Sequence, residues 1–175
     1  MSSPASGYQQ IALDLAHTET GTDGLLSLHV VGDSMLPFLR PDDLVKLRPV
    51  SVGSLHRGDV IVVRYASGPV THRLVWVDAQ GWHTKGDHCA LADVPVPAEA
   101  ILGRVVSVER GAAGLDLQNR RWSLVNRCVG VLAYWETLAQ RLGGIRLAGR
   151  PLFACMATWP LRVLAWLVLE WSLRV

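Results

Sequence analysis

Three short stretches of this chain carry residue types that together can break an amide bond. Gly32-Asp33-Ser34-Met35-Leu36-Pro37 presents a serine, Thr71-His72-Arg73 a histidine, and the run from Thr84 to Asp93 two carboxylates, Asp87 and Asp93, six residues apart. A serine hydroxyl is a poor nucleophile at neutral pH; it needs an adjacent base, and the base needs a third group to hold its tautomer and orientation. His72 suits the base, because an imidazole with a reference pKa of about 6.5 is available in its neutral form near pH 7, takes the serine proton and returns it to the leaving amine. Asp87 and Asp93 belong to one loop, and either can accept a hydrogen bond from the second ring nitrogen of His72 while the other braces the loop. Gly32 lets the backbone turn tightly beside a substrate, and Pro37 stiffens the exit from that turn.

Taken singly, each stretch has an ordinary explanation: a turn serine, a half-buried strand histidine like several of the five others, a solvated acidic loop. No HExxH or DxDxDG spacing joins these residues, so no metal site is expected and the chemistry calls for no cofactor.

These groups need a rigid frame. From Leu25 to Val108 the apolar residues come in short runs separated by Gly, Pro and Asp, which predicts strands over Leu25–Val31, Leu44–Leu47, Asp59–Tyr65, Val70–Val77, Trp82–Thr84 and Ile101–Val108. Pro41-Asp42-Asp43, Ser67-Gly68-Pro69 and Gln80-Gly81 are turn signals between them. After Gly114 the texture changes to Leu, Ala, Arg and Trp, predicting helices over Trp122–Leu142 and Pro151–Arg174 with a glycine-rich loop between. The expected architecture is mainly β: a flexible N-terminal segment (1–24), a compact antiparallel β domain (25–114) and a helical C-terminal region (115–175).

Bulk properties narrow the class. In 175 residues, half of them hydrophobic, one good core can be buried and a second independent domain is not expected. Residues 1–100 carry a net −4 and residues 101–175 a net +6, so the back half is basic and suited to an anionic surface. Three cysteines without CxxC spacing indicate neither a disulfide framework nor a thiolate metal site, which fits a reducing compartment. The stretch Ile11–Ala16 is short and broken by Asp14, so neither a signal peptide nor an N-terminal membrane span is expected. Pro151–Leu173 is apolar enough to raise the question of a span, but Pro160, Arg162 and Glu170 interrupt it; a helix at the membrane interface and a helix packed on protein are equally good readings of 151–175. The location expected is cytoplasmic or peripheral to a membrane.

The ordered set is more specific than its parts. Gly-Asp-Ser-Met-x-Pro, then Gly-Asp-Val-Ile-Val-Val (Gly58–Val63), then Thr-His-Arg, then Lys-Gly-Asp followed six residues later by Asp93 resembles the signal peptidase I family over about residues 28–108. Most bacterial members carry a lysine as base; the endoplasmic-reticulum and archaeal type carries a histidine, the residue found here at His72. The resemblance implies a serine endopeptidase with Ser34 as nucleophile, His72 as base and Asp87 and Asp93 as the acidic pair, Asp93 being the first choice to orient His72. It also implies a peptide or protein substrate bound as an extended strand, cut after small residues, with Gly32, Asp33, Met35 and Pro37 around the substrate and the oxyanion. The Ser34 N–H is the expected oxyanion donor; where many members have a serine two residues before the nucleophile, this chain has Gly32.

Gly32-Asp33-Ser34-Met35 also resembles the related self-cleaving regulators of the LexA type, which use lysine as base. Only about thirty residues precede this region and no helix-turn-helix pattern is visible in them, so binding to nucleic acid is not expected. The remaining alternative is an inactive peptidase-like module that binds a peptide or a membrane.

Overall fold

The computed structural model describes residues 24–141; the expected N-terminal segment, except Gly24, and the helix expected over 151–174 lie outside them. Among the described residues, seven strands form one antiparallel sheet: β1 (Leu26–His29), β2 (Leu44–Arg48), β3 (Val60–Tyr65), β4 (Gly68–Asp78), β5 (Gly81–Lys85), β6 (Ile101–Arg110) and β7 (Ala113–Asp116), followed by helix α1 (Arg120–Arg141). The order across the sheet is β1-β2-β6-β3-β4-β5, with β7 paired to the far end of β6. The mainly β, antiparallel expectation holds.

β3 shows how the pattern builds the core. Val60, Ile61, Val62 and Val63 are all buried, the signature of a strand covered on both faces. Val60 and Val62 face one cluster with Leu28, Met35, Leu39, Val45 and Val105; Ile61 and Val63 face a second with Leu74 and Val96. Full burial of each such side chain contributes about 1.5–3 kcal/mol, so this run anchors the strands on either side of it, including β4.

The seventh strand is a departure from the sequence reading, which ended the β region at Gly114. Gly111, in the left-handed region at φ 60°, turns the chain so that Ala113–Asp116 pairs with Ser107–Arg110. Only Leu115 of that strand is buried, so its backbone pairing, not its side-chain pattern, makes it a strand.

Asn119 starts α1, its side-chain oxygen accepting the Arg121 N–H at 3.1 Å, the usual N-cap arrangement. The helix lies so close to the sheet that a Cβ on Gly130 would stand 2.5 Å from the Gly58 Cα, and one on Gly58 2.2 Å from the Asn126 oxygen. Two facing glycines make that approach possible. No helix among the described residues is long and apolar enough to cross a membrane.

Candidate active site

Ser34 lies in the turn after β1. The turn is closed by Leu36 N–H donating to Asp33 O and Leu39 N–H to Met35 O, at 3.0 and 2.9 Å, and contains a cis Leu36–Pro37 bond. Its underside is apolar: Met35, Phe38 and Leu39 are buried in the main core. Its far end is pinned by Asp43, which takes a two-pronged contact from Arg110 at 2.8 and 2.7 Å while Arg110 also donates to the Phe38 carbonyl. Buried apolar anchors and a paired carboxylate thus hold the serine's backbone on a firm base.

His72 comes from β4, where alternation sorts neighbouring residues to opposite faces. Arg73 pairs directly with Lys85, and Leu74 with Thr84; His72 and Thr84 therefore share one face of the β4–β5 ribbon, Arg73 and Lys85 the other. On the first face His72 Nε2 is 3.0 Å from Ser34 Oγ and His72 Nδ1 is 2.6 Å from Asp93 Oδ2. Thr84 donates its hydroxyl to the same Asp93 oxygen at 2.6 Å, and the Asp93 N–H returns to the Thr84 carbonyl at 2.8 Å. A carboxylate against Nδ1 places the ring proton there and leaves Nε2 as the acceptor facing the serine hydroxyl. A serine hydroxyl, an imidazole and a carboxylate in this order can pass the hydroxyl proton to Nε2, which is what acyl transfer to a serine requires.

On the second face the charges are structural. Arg73 donates to Asp87 through Nε and Nη2 at 2.8 and 2.7 Å, and through Nη1 to Gly58 O and Asn126 Oδ1, both at 2.8 Å. Lys85 donates to Glu136 of α1 at 2.6 Å. Asp87, one of the two candidates to orient His72, is therefore spent on Arg73, two-pronged and buried. Met35, expected around the substrate, is 1% exposed and belongs to the core. Gly32 and Asp33 are exposed and Pro37 is half-buried.

Gly86 joins the two halves of the site. A Cβ there would meet Ser34 O at 2.6 Å, Cys89 Sγ at 2.7 Å and His72 Nε2 at 3.1 Å, so only glycine lets the chain just after β5 lie against both the Ser34 carbonyl and the His72 ring. The contact is fastened by the His88 N–H donating to Ser34 O at 2.8 Å. Neither Thr84 nor Gly86 was assigned chemistry from the sequence; the signal available was the position of Thr84 opposite the residue two beyond His72 in a ribbon of alternating faces.

Burial, followed by the Asp93 charge, pushes the Cys89 thiol up, which disfavours its thiolate. Burial also raises the Tyr65 phenol, against a lowering contact with Thr84 and with a further rise from Asp93. Among the described residues no group of three or more His, Cys, Asp or Glu side chains is arranged to hold a metal ion. Cys89 and Cys128 are free thiols; Cys155 lies outside the described residues.

Among the described residues, β1 pairs with β2 alone, and residues 68–72 of β4 pair with β3 while β5 joins β4 from Arg73 onward. The Ser34 N–H is bonded to no other described residue. Comparison of the chain with protein-family models, with curated proteins and with solved structures finds no match.

Proposed function

We propose that this protein is a serine endopeptidase of the signal peptidase I type, with a signal-peptidase/LexA-like β domain, in which Ser34 attacks and His72 is the base. The observation that carries the reading is the unbroken chain Ser34 Oγ, His72 Nε2, His72 Nδ1, Asp93 Oδ2, with separations of 3.0 and 2.6 Å at its two hydrogen bonds. In the reaction the Oγ–C bond forms as the serine proton passes to Nε2. The imidazolium, held by Asp93, then gives that proton to the leaving amine, and water repeats the cycle to release the acid. The Ser34 N–H meets the oxyanion; a single donor of this kind is worth about 2.7–4 kcal/mol. An extended peptide adding to the outer edge of β1 or to residues 68–72 of β4 would lie alongside the hydroxyl, with main-chain hydrogen bonds supplying affinity. The substrate class proposed is a signal-peptide-like or leader segment cut after small residues, and the location cytoplasmic or peripheral to a membrane.

An acylating fluorophosphonate tests the reading directly. Mass spectrometry of the treated, folded protein should find the adduct on Ser34, and Ser34→Ala and His72→Ala should each abolish it. Absence of the adduct from well-folded protein, or an adduct that persists in Ser34→Ala, refutes the mechanism. The apolar segment 151–175 lies outside the described residues; comparing the membrane fraction of cells with and without its deletion tests its proposed role at the membrane surface.

A further inference from the structure

Helix α1 turns a mixed face inward, Trp122, Val129, Gly130 and Ala133 together with Asn126, Glu136 and Thr137, Asn126 and Glu136 being engaged with Arg73 and Lys85. Its outer face carries a second apolar stripe, where most helices packed on a domain are polar. Leu124, Cys128, Val131 and Trp135 follow one another at i, i+4, i+7 and i+11, a single stripe down the helix, and Leu124, Val131 and Trp135 are 65%, 40% and 59% exposed.

The charges beside that stripe have one sign. Arg120, Arg121, Arg127 and Arg141 are all exposed, and the helix's one acid, Glu136, is buried against Lys85. Among the described residues none of Arg120, Arg121 and Arg127 is paired with a carboxylate. At 100° per residue Arg121 and Arg127 lie about 60° to either side of Leu124, and Arg120 about 40° from it at the start of the helix.

Charge selects among occupants for this face. A second copy docking by the same stripe would set three arginines against three. Residues 151–175 bring Arg162 and Arg174 against Glu170 alone, which offers no compensating negative charge. A surface that is apolar below and anionic above satisfies both parts of the pattern: apolar side chains, with an indole among them, enter the boundary region while guanidinium groups fork onto phosphates. We propose that the outer face of α1 docks on an anionic lipid bilayer, with Leu124, Val131 and Trp135 entering the headgroup boundary and Arg120, Arg121 and Arg127 contacting lipid phosphates. This is independent of the peptidase reading.

Cys128, exposed on the stripe, reports on this face and on no other part of the chain. In the full chain carrying Cys89→Ser and Cys155→Ser, an NBD fluorophore on Cys128 should shift to the blue with vesicles of phosphatidylcholine and phosphatidylglycerol, be quenched by a headgroup-level spin-labelled lipid, and barely respond to phosphatidylcholine alone. Val131→Asp with Trp135→Asp should weaken vesicle binding roughly tenfold or more, and Arg120→Ala with Arg127→Ala by about fivefold per arginine at low salt. Circular dichroism checks that these surface variants fold. The proposal is overturned if the fluorophore stays in water while the protein co-floats with vesicles, which means adsorption by another surface. It is equally overturned by equal binding to neutral vesicles, by absence of binding, or by a blue shift that grows with protein concentration without lipid, which means self-association.

Discussion

The two faces of the β4–β5 ribbon carry similar groups to opposite ends. On one, His72 and Thr84 converge on Asp93 and present a basic nitrogen to Ser34; on the other, Arg73 and Lys85 are neutralised by Asp87 and Glu136 and bind the ribbon to α1. Adjacent residues on the same strand are thus divided, by the two-residue alternation of a strand, between the face proposed to react and the face that holds the fold. The difference teaches where removal of a group should cost rate and where it should cost stability. A buried pair adds little relative to an apolar one but is expensive to break, whereas a triad member is expendable for folding and indispensable for chemistry.

The largest effect should come from the reactive face. Asp93→Asn, which keeps shape but disturbs the tautomer of His72, is expected to slow acylation of Ser34 by about 10⁴-fold, with a thermal midpoint much closer to wild type than that of the structural variants; single-turnover labelling and calorimetry read the two. If Asp93→Asn labelled at the wild-type rate, the division between faces would be lost.

Next, on the structural face, Glu136→Ala strands the Lys85 ammonium, which is 2% exposed, and should destabilise the fold by about 3–5 kcal/mol. The paired replacement Lys85→Met with Glu136→Leu should recover part of that, because the Lys85 ammonium is no longer buried alone. Chemical denaturation of the two variants makes the comparison; equal losses would assign Lys85 a role beyond pairing.

Gly86→Ala sharpens the boundary between the faces. Its methyl would meet the Ser34 carbonyl at 2.6 Å and His72 Nε2 at 3.1 Å, forcing nucleophile and base apart at a stability cost of about 1–3 kcal/mol. Labelling of Ser34 should therefore fall by more than the loss of folded protein explains, which labelling normalised to the folded fraction would reveal.

The smallest effect belongs at the ribbon's turn. The hydrogen bond with His83, the largest influence, holds the Asp78 carboxyl at about 2, below its ordinary 3.8. A carboxyl depressed in the folded state adds stability that is complete above its unfolded value and disappears as pH falls through the folded one. The small difference in melting temperature between wild type and Asp78→Asn should accordingly be present near pH 5 and fade from about pH 4 to about pH 2. A constant difference across that range would place its origin outside ionisation.

How much of this was legible beforehand depended on the range of the forces involved. Six strands were readable because Leu26, Leu28, Val45 and Leu47 alternate and Val60–Val63 run continuously, patterns set by neighbours in the chain. β7 was not, because its pairing with β6 is a backbone matter that Ala113, Gly114 and Asp116 do not announce. Ser34 and His72 could be named from type and spacing, but Asp87 and Asp93 were chemically equivalent on paper.

The sequence by itself determined an antiparallel β domain followed by a helix, and the residue types from which a nucleophile, a base and an orienting acid could be drawn. Tertiary structure alone decided that Asp93 meets His72 and Asp87 meets Arg73, that Thr84 and Gly86 complete the site, and that α1 buries Trp122, Val129 and Ala133 while leaving Leu124, Val131 and Trp135 outside. The physical reason is that periodicity fixes which face of its own element a residue occupies. What faces it across a fold depends on partners 38 or 51 residues distant, as for Ser34 with His72 and Lys85 with Glu136, and no local pattern encodes those meetings.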